Sequence, residues 1–172
     1  MITITEEPYD GDLAAAFVAE LLHELNERYR DVDAAAEQDD IDLPDDDAYL
    51  AEVTPEMVRP PNGVFLVAWL DGTPGACGAV KPLDSDPSIG EIKRMYTRPA
   101  ARRQGLSRAL IEALERRAVD LGYRRLQLET GTQQPEAMAL YEGHGWHRIA
   151  PYGHYKDAPD SVCFAKALDS PT

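Results

Sequence analysis

The chain has only two cysteines, Cys77 and Cys163, each inside an apolar stretch, so a disulfide framework is excluded and two buried free thiols are expected. No run of about 18 apolar residues occurs, which excludes a membrane-spanning helix. The first residues, Met1 to Glu7, lack the basic-then-apolar order of a secretory leader, and a cytoplasmic location is expected. Positive charge is scarce as well. Seventeen Lys and Arg against 31 Asp and Glu leave a net charge of -14, which argues against non-specific binding to nucleic acid or to an anionic membrane. Aromatic residues make up 8% of the chain and do not form a series within its basic stretch, so a nucleic-acid-binding surface is not expected.

What the chain does contain is enough apolar material for one core. At 172 residues and 44% hydrophobic it reads as a single domain over residues 1–172. Charge is unevenly spread. From Asp31 to Glu52 there is no Lys or Arg, and Asp33, Glu37, Asp39, Asp40, Asp42, Asp45, Asp46 and Asp47 crowd together. From Glu91 to Arg125 the balance reverses, with ten basic residues against four acids. A basic island in an acidic protein suggests an anionic ligand.

Hydrophobic periodicity gives alternating strands and helices, the mark of an α/β or α+β layer fold. Ile2–Thr5 reads as a strand, and a helix starts near Asp12 and runs towards Arg28. The acidic segment after it reads as a surface excursion broken by Pro44 and Pro55, with one short helix over Asp46–Glu52. Val64–Leu70 and Ala76–Val80, joined by a turn at Asp71–Gly75, predict a hairpin. Gly90–Thr97 predicts a strand that ends before Pro99, and Leu106, Leu110, Ala113, Leu114 and Leu121 predict a helix that stops at Gly122. Arg125–Thr130, a helix over Pro135–Tyr141, and strands over Trp146–Ile149 and Val162–Ala165 complete the pattern.

The chemistry concentrates in the turn Arg102-Arg103-Gln104-Gly105-Leu106-Ser107. A strand that passes through a basic turn into a helix aims several free backbone N–H groups, and the positive helix end, at one point. Arg102, Arg103 and Gln104 add charge and donors, and Gly105 lets the backbone approach a ligand closely. A pyrophosphate suits such a cradle; the competing reading is an ordinary Arg-rich helix start with a capping glycine. The turn matches neither a Walker loop nor GxGxxG.

The turn also resembles the acetyl-CoA loop of the GNAT family of N-acetyltransferases, Arg/Gln-x-x-Gly-x-Gly/Ala, with Ser107 in the last place. A second element of that family, Asn-x-x-Ala-x-x-Leu-Tyr and then Gly-Phe, is matched by Gln134-Pro135-Glu136-Ala137-Met138-Ala139-Leu140-Tyr141 and then Gly145-Trp146. Two motifs in the right order extend the resemblance over roughly Val64 to Leu168. It implies an α/β (α+β) fold, a mixed and mostly antiparallel sheet flanked by helices, with its fourth and fifth strands splayed. A CoA-binding core over about 64–168 and a variable acceptor side over about 10–60 follow from it.

The same resemblance implies acetyl-CoA as co-substrate, with the backbone of Met95, Tyr96 and Thr97 holding its pantetheine and acetyl carbonyl and Gln134 contacting the same arm. Tyr141 falls where the family's tyrosine approaches the CoA sulfur, which suits a phenol donating to a departing thiolate; alone it also reads as an amphipathic core tyrosine. Glu91 lies eleven positions before Arg102, where histone-type members carry a carboxylate, and is the candidate base; the other reading pairs it with Lys93 or Arg125. The implied activity is acetyl transfer to a primary amine of a small molecule or peptide by direct attack. A non-catalytic acyl-CoA-binding sensor is the alternative.

Tyr152, His154 and Tyr155 stand before the last strand and can line an acceptor pocket, and the acidic run can attract a polycationic acceptor; loop packing and a solvated face are the competing readings. His144, His147 and His154 with Cys163 fit no zinc spacing, so no metal is expected and the histidines read as surface residues. A homodimer is compatible with the sequence but not specified by it.

Overall fold

The computed structural model describes residues 1–33 and 45–169. A seven-stranded sheet of order β1-β2-β3-β4-β5-β7-β6 carries the fold. It is built from β1 (Ile2–Glu6), β2 (Val64–Leu70), β3 (Thr73–Leu83), β4 (Asp86–Thr97), β5 (Arg125–Gly131), β6 (His147–Ile149) and β7 (Ser161–Ala167). Every neighbouring pair is antiparallel except β4 with β5. The mixed, mostly antiparallel sheet matches the expectation from the sequence.

Helices cover both faces, which is why β2 reads as an unbroken apolar run rather than an alternating one. On one face, Val64, Leu66, Ala68, Ala76 and Val80 pack with Leu106, Leu110, Ile111 and Leu114 of α3 (Leu106–Asp120) and with Tyr141 of α4 (Pro135–Gly143). On the other, Phe65, Val67, Cys77 and Ala79 pack with Ala14, Phe17 and Leu21 of α1 (Asp12–Asp33). The short α2 (Asp46–Ala51) lies on this second side, where Tyr49 packs against the same cluster. Both cysteines are buried free thiols. No described helix is long and apolar enough to cross a membrane.

Three elements depart from the expected boundaries. The β3–β4 hairpin continues outward to Leu83 and Asp86 through Lys81↔Glu91 and Pro82↔Gly90, a region whose Pro, Gly and Asp content reads as loop. Helix α1 continues to Asp33 rather than stopping near Arg28. Trp146 precedes β6 and is buried, where it packs on Tyr141. The middle of the acidic run, residues 34–44, lies outside the described residues, and with it Glu37, Asp39, Asp40 and Asp42.

The functional opening follows from one pairing defect. Strand β4 pairs with β5 only at Gly90↔Leu126 and Glu91↔Gln127, although both strands run further. Beyond that point β4 carries a bulge against β3, between Cys77 and Ala79, and Arg94 there takes a left-handed φ of 60°. A bulge bends its strand and sharpens the local twist. The fourth and fifth strands therefore splay, as expected.

Candidate active site

The splay opens into a cleft of about 1730 Å³. Met95, Tyr96 and Thr97 at the end of β4 form one wall, and Leu128, Glu129 and Thr130 of β5 form the other. Arg102, Arg103, Leu106 and Ser107 line its α3 end; Gln134 and Tyr141 line its α4 side. Apart from Glu91, Gln104, Gly105 and Tyr152, every site residue expected from the sequence thus borders one cavity.

At the α3 end the chain leaves β4, turns through Pro99–Ala101, and enters α3 at Gly105, whose φ of 86° is a conformation that glycine adopts without strain. Among the described residues, no backbone N–H from Arg103 to Arg108 donates to another protein group, whereas Ala109 closes the first helical bond onto the Gly105 carbonyl. This row of free donors at a positive helix end fits a pyrophosphate. The side chains behave differently from expectation. Gln104 folds back to donate to the Ala100 carbonyl at 3.0 Å. Arg102 donates to the Thr97 carbonyl at 3.0 Å and pairs with Glu24 of α1. Arg103 is exposed and makes no ion pair among the described residues.

The expected basic island is thus partly neutralised, with Arg98 and Arg102 paired to acids of α1 and Arg117 to an acid of β1. Arg98 grips Glu20 through two bonds of 2.7 and 2.9 Å, and Arg117 reaches Glu6 at 2.8 Å. Arg94 is buried, stacked 4.0 Å over Tyr49, and donates to the Tyr9 hydroxyl and the Tyr49 carbonyl. These partners are far away in sequence, which is why charge counting overstated the free positive charge.

Tyr141 is 4% exposed, with its ring 5.8 Å from both Trp146 and Phe164, and its hydroxyl accepts and donates no hydrogen bond among the described residues. Burial raises its phenol above the ordinary value, so it stays protonated at neutral pH. His144, expected at the surface, is instead partly buried: its Nδ1 lies 2.8 Å from the Leu140 carbonyl at the end of α4. His147 and His154 are exposed.

A cluster of carboxylates stands on the opposite side of β5 from Tyr141. Glu91 is 6% exposed and lies off the cleft lining; its Oε2 accepts from the Tyr152 hydroxyl at 2.8 Å, and its Oε1 is 3.5 Å from Lys81 Nζ and 4.0 Å from Lys93 Nζ. Lys93, not Arg125, is thus one of its cationic partners. Glu52 accepts from Lys93 at 3.0 Å, with the Tyr155 hydroxyl beside it. Glu129 borders the cleft and accepts no hydrogen bond among the described residues. Burial pushes its carboxyl up to about 7; Lys93 works against that rise, while Glu52, Glu91 and Asp160 add to it. Sequence reasoning missed Glu129, whose alternation within Leu126–Thr130 reads as an outward strand position. Its one signal is register, two residues past the last β4–β5 pair.

Comparison with known proteins agrees with this geometry. The profile of the Acetyltransferase (GNAT) family matches residues 18–146. The chain is 35% identical over 131 residues to the IAA acetyltransferase of Azospirillum brasilense, covering 71% of this chain and 85% of that protein. It is 36% identical over 115 residues to an uncharacterized N-acetyltransferase of Bacillus subtilis, covering 66% and 75% respectively. A solved, proposed acyl-CoA N-acyltransferase of Klebsiella pneumoniae superposes with a TM-score of 0.72 over 98% of this chain and 99% of that one, at 27% identity. A proposed acetyltransferase of Salmonella typhimurium, solved with acetyl-CoA, shares the fold with a TM-score of 0.67 over 100% and 96% of the two chains, at 20% identity. By sequence likeness and by fold, the chain belongs to the GNAT family and is an acyl-CoA-dependent N-acetyltransferase.

Proposed function

We propose that the protein acetylates a primary amine of a small molecule or peptide by direct attack, with Glu129 as the base and Tyr141 as the proton donor to the leaving group. The observation that carries the reading is the pair of groups lining the cleft at the β4–β5 splay: a buried phenol on one side and, on the other, a carboxyl that accepts no hydrogen bond among the described residues and that burial raises towards neutrality. Acetyl-CoA supplies an acyl thioester, whose acetyl group passes to the amine as an N–C bond forms and the C–S bond breaks. The free N–H groups from Arg103 to Ser107, with the Arg103 side chain, bind the pyrophosphate; the backbone of Met95, Tyr96 and Thr97, with Gln134, holds the pantetheine arm.

A base is needed because an alkylamine with a pKa of about 10.4 is roughly three units from its neutral form at pH 7, a cost on the order of 4 kcal/mol. A carboxyl that titrates near 7 takes that proton far better than one near 4. Glu91, engaged by Tyr152 and two lysines and lying off the cleft lining, is a supporting acid rather than the group that meets the amine. Tyr141 gives its proton, or a hydrogen bond, to the sulfur as it departs.

The cleft's acceptor rim carries Asp45, Glu52, Asp157 and Asp160 together with Tyr29, Tyr49 and Tyr155, which favours an acceptor with a second positive charge. The test is a panel of mono- and dicationic amines incubated with acetyl-CoA, reading thiol release and product mass. Turnover with an amine supports the reading, and a preference for dications supports the rim. Tight acetyl-CoA binding with no turnover across the panel would contradict the amine acceptor proposed here.

A further inference from the structure

Two carboxylates pair with Lys93, Glu52 and Glu91, while Glu129 across the splay accepts no hydrogen bond and makes no ion pair among the described residues. Lys93 and Glu129 stand at equivalent positions on the diverging strands, each two residues beyond the last pair, Glu91↔Gln127. Side chains at this spacing share one face of the sheet. The Lys93 ammonium is fixed by Glu52 at 3.0 Å and by Glu91 at 4.0 Å. One loop, between β6 and β7, then supplies the tyrosines that meet these two acids: Tyr152 donates to Glu91, and Tyr155 stands beside Glu52. No donor of this kind reaches Glu129 among the described residues.

We infer that Lys93 is a positioning residue for acetyl transfer: held by Glu52 and Glu91, its ammonium is the counter-charge that keeps Glu129 ionised and available as the base. This rests on the assignment of Glu129 above. The groups facing Glu129 from each packed element bear it out. Glu91 on β4, Glu52 after α2 and Asp160 before β7 are negative and disfavour ionisation; Tyr29 of α1, Tyr152 and Tyr155 of the loop and Cys163 of β7 are neutral; Lys93 supplies the opposing charge. Burial works against a charged Lys93, but Glu91 and Glu52 outweigh it, so the ammonium persists through neutral pH. Without that charge, three carboxylates in a half-buried cluster hold Glu129 protonated and the base is lost.

The sign of the effect is distinctive. Activity that needs an ionised Glu129 falls as pH drops through about 7. Removing Lys93 moves that fall upward, so the loss is large in acid and vanishes in alkali. A shift of about one unit costs about tenfold in kcat/KM near pH 6 and almost nothing near pH 9.

The experiment is a pH profile of kcat/KM, with one amine throughout, for the wild type, Lys93→Met, Lys93→Arg and Glu129→Gln. In parallel, ¹³C NMR of the glutamate carboxyls follows Glu129 in the free protein, its signal being the one absent from Glu129→Gln. The expected result is an upward shift of both the activity limb and the NMR titration in Lys93→Met, with both restored in Lys93→Arg. Lys93→Gln serves the same purpose should the Met variant not fold. An equal loss at every pH, or a Glu129 titration that does not move, overturns the role of Lys93. Survival of the acidic limb in Glu129→Gln overturns the base assignment itself, and the inference with it.

Discussion

Glu24 ties α1 to Arg102 at one lip of the cleft and, through Arg28, to the other, and its replacement by glutamine should move stability and cofactor affinity in opposite directions. Its Oε1 accepts from Arg28 at 2.7 and 3.1 Å, and its Oε2 pairs with Arg102. Arg28 in turn donates to the Gln133 carbonyl at 3.0 Å and pairs with Glu136, so the contact reaches the start of α4. Glu24 and Arg28 are 22% and 24% exposed and Arg102 is 37% exposed. Charge-assisted bonds with this partial burial contribute roughly 1.5–3 kcal/mol, but exposed pairs give less than about 1, and the Arg102 contact must be discounted accordingly.

Glutamine keeps one acceptor, so a net loss of about 1–2 kcal/mol is expected, or a fall in Tm of about 3–6 °C for a chain of this size. At the same time a carboxylate leaves the neighbourhood of the pyrophosphate cradle and Arg102 is freed, which should tighten acetyl-CoA binding by about three- to tenfold, or roughly 1 kcal/mol. That gain should shrink as salt rises. Thermal unfolding and titration calorimetry read the two effects separately. A folded variant that binds acetyl-CoA no better than the wild type at low salt would refute the reasoning, because Glu24 would then be a structural contact that does not compete for Arg102.

Tyr141→Phe should keep acetyl-CoA affinity, since its ring remains packed between Trp146 and Phe164, and lose about 10²- to 10⁴-fold in kcat by steady-state assay. Gly105→Asp places a side chain on a left-handed residue and a negative charge beside the free N–H row, and calorimetry should find acetyl-CoA bound more than about tenfold more weakly. Glu129→Gln should stabilise the fold in a pH-dependent way. The carboxyl is raised from 4.5 to about 7 on folding, so the wild type loses stability as pH rises between those values, and the amide does not. The Tm difference should therefore be small near pH 4.5 and largest above pH 7.

Much of this architecture is written locally. The run Val64–Ala68 announces a strand covered on both faces, and Leu106, Leu110 and Leu114 announce a helix that lays one stripe on the sheet. The cradle at Gly105 is equally local, because a left-handed glycine before a helix needs no distant partner. The charges were not legible in the same way. Arg98, Arg102 and Arg117 find their acids 78, 78 and 111 positions away, on elements whose approach is decided by the apolar core. Glu91 and Glu129 look alike as strand glutamates; what separates them is that β4 and β5 part after Glu91, leaving one acid behind the sheet pairing and the other at the edge of the opening. The outer half of the β3–β4 hairpin was hidden for a different reason. Pro82, Asp84, Asp86, Pro87 and Gly90 carry turn chemistry, whereas in the fold the ladder continues there with the buried Lys81 facing Glu91 across it.

Direct attack is the claim on which the mechanism stands. Both cysteines are buried, Cys77 at 0% and Cys163 at 2% exposure, and burial raises both thiols above their ordinary range, so neither is a ready nucleophile for a covalent acyl-enzyme. The decisive measurement is a single turnover with the protein in excess over acetyl-CoA labelled in its acetyl group, mixed with an amine that turns over and quenched through the time course. The account predicts that label passes to the amide as free thiol appears, with the intact mass of the protein unchanged at every time. A protein that gains and then loses an acetyl group at the rate of turnover would contradict it.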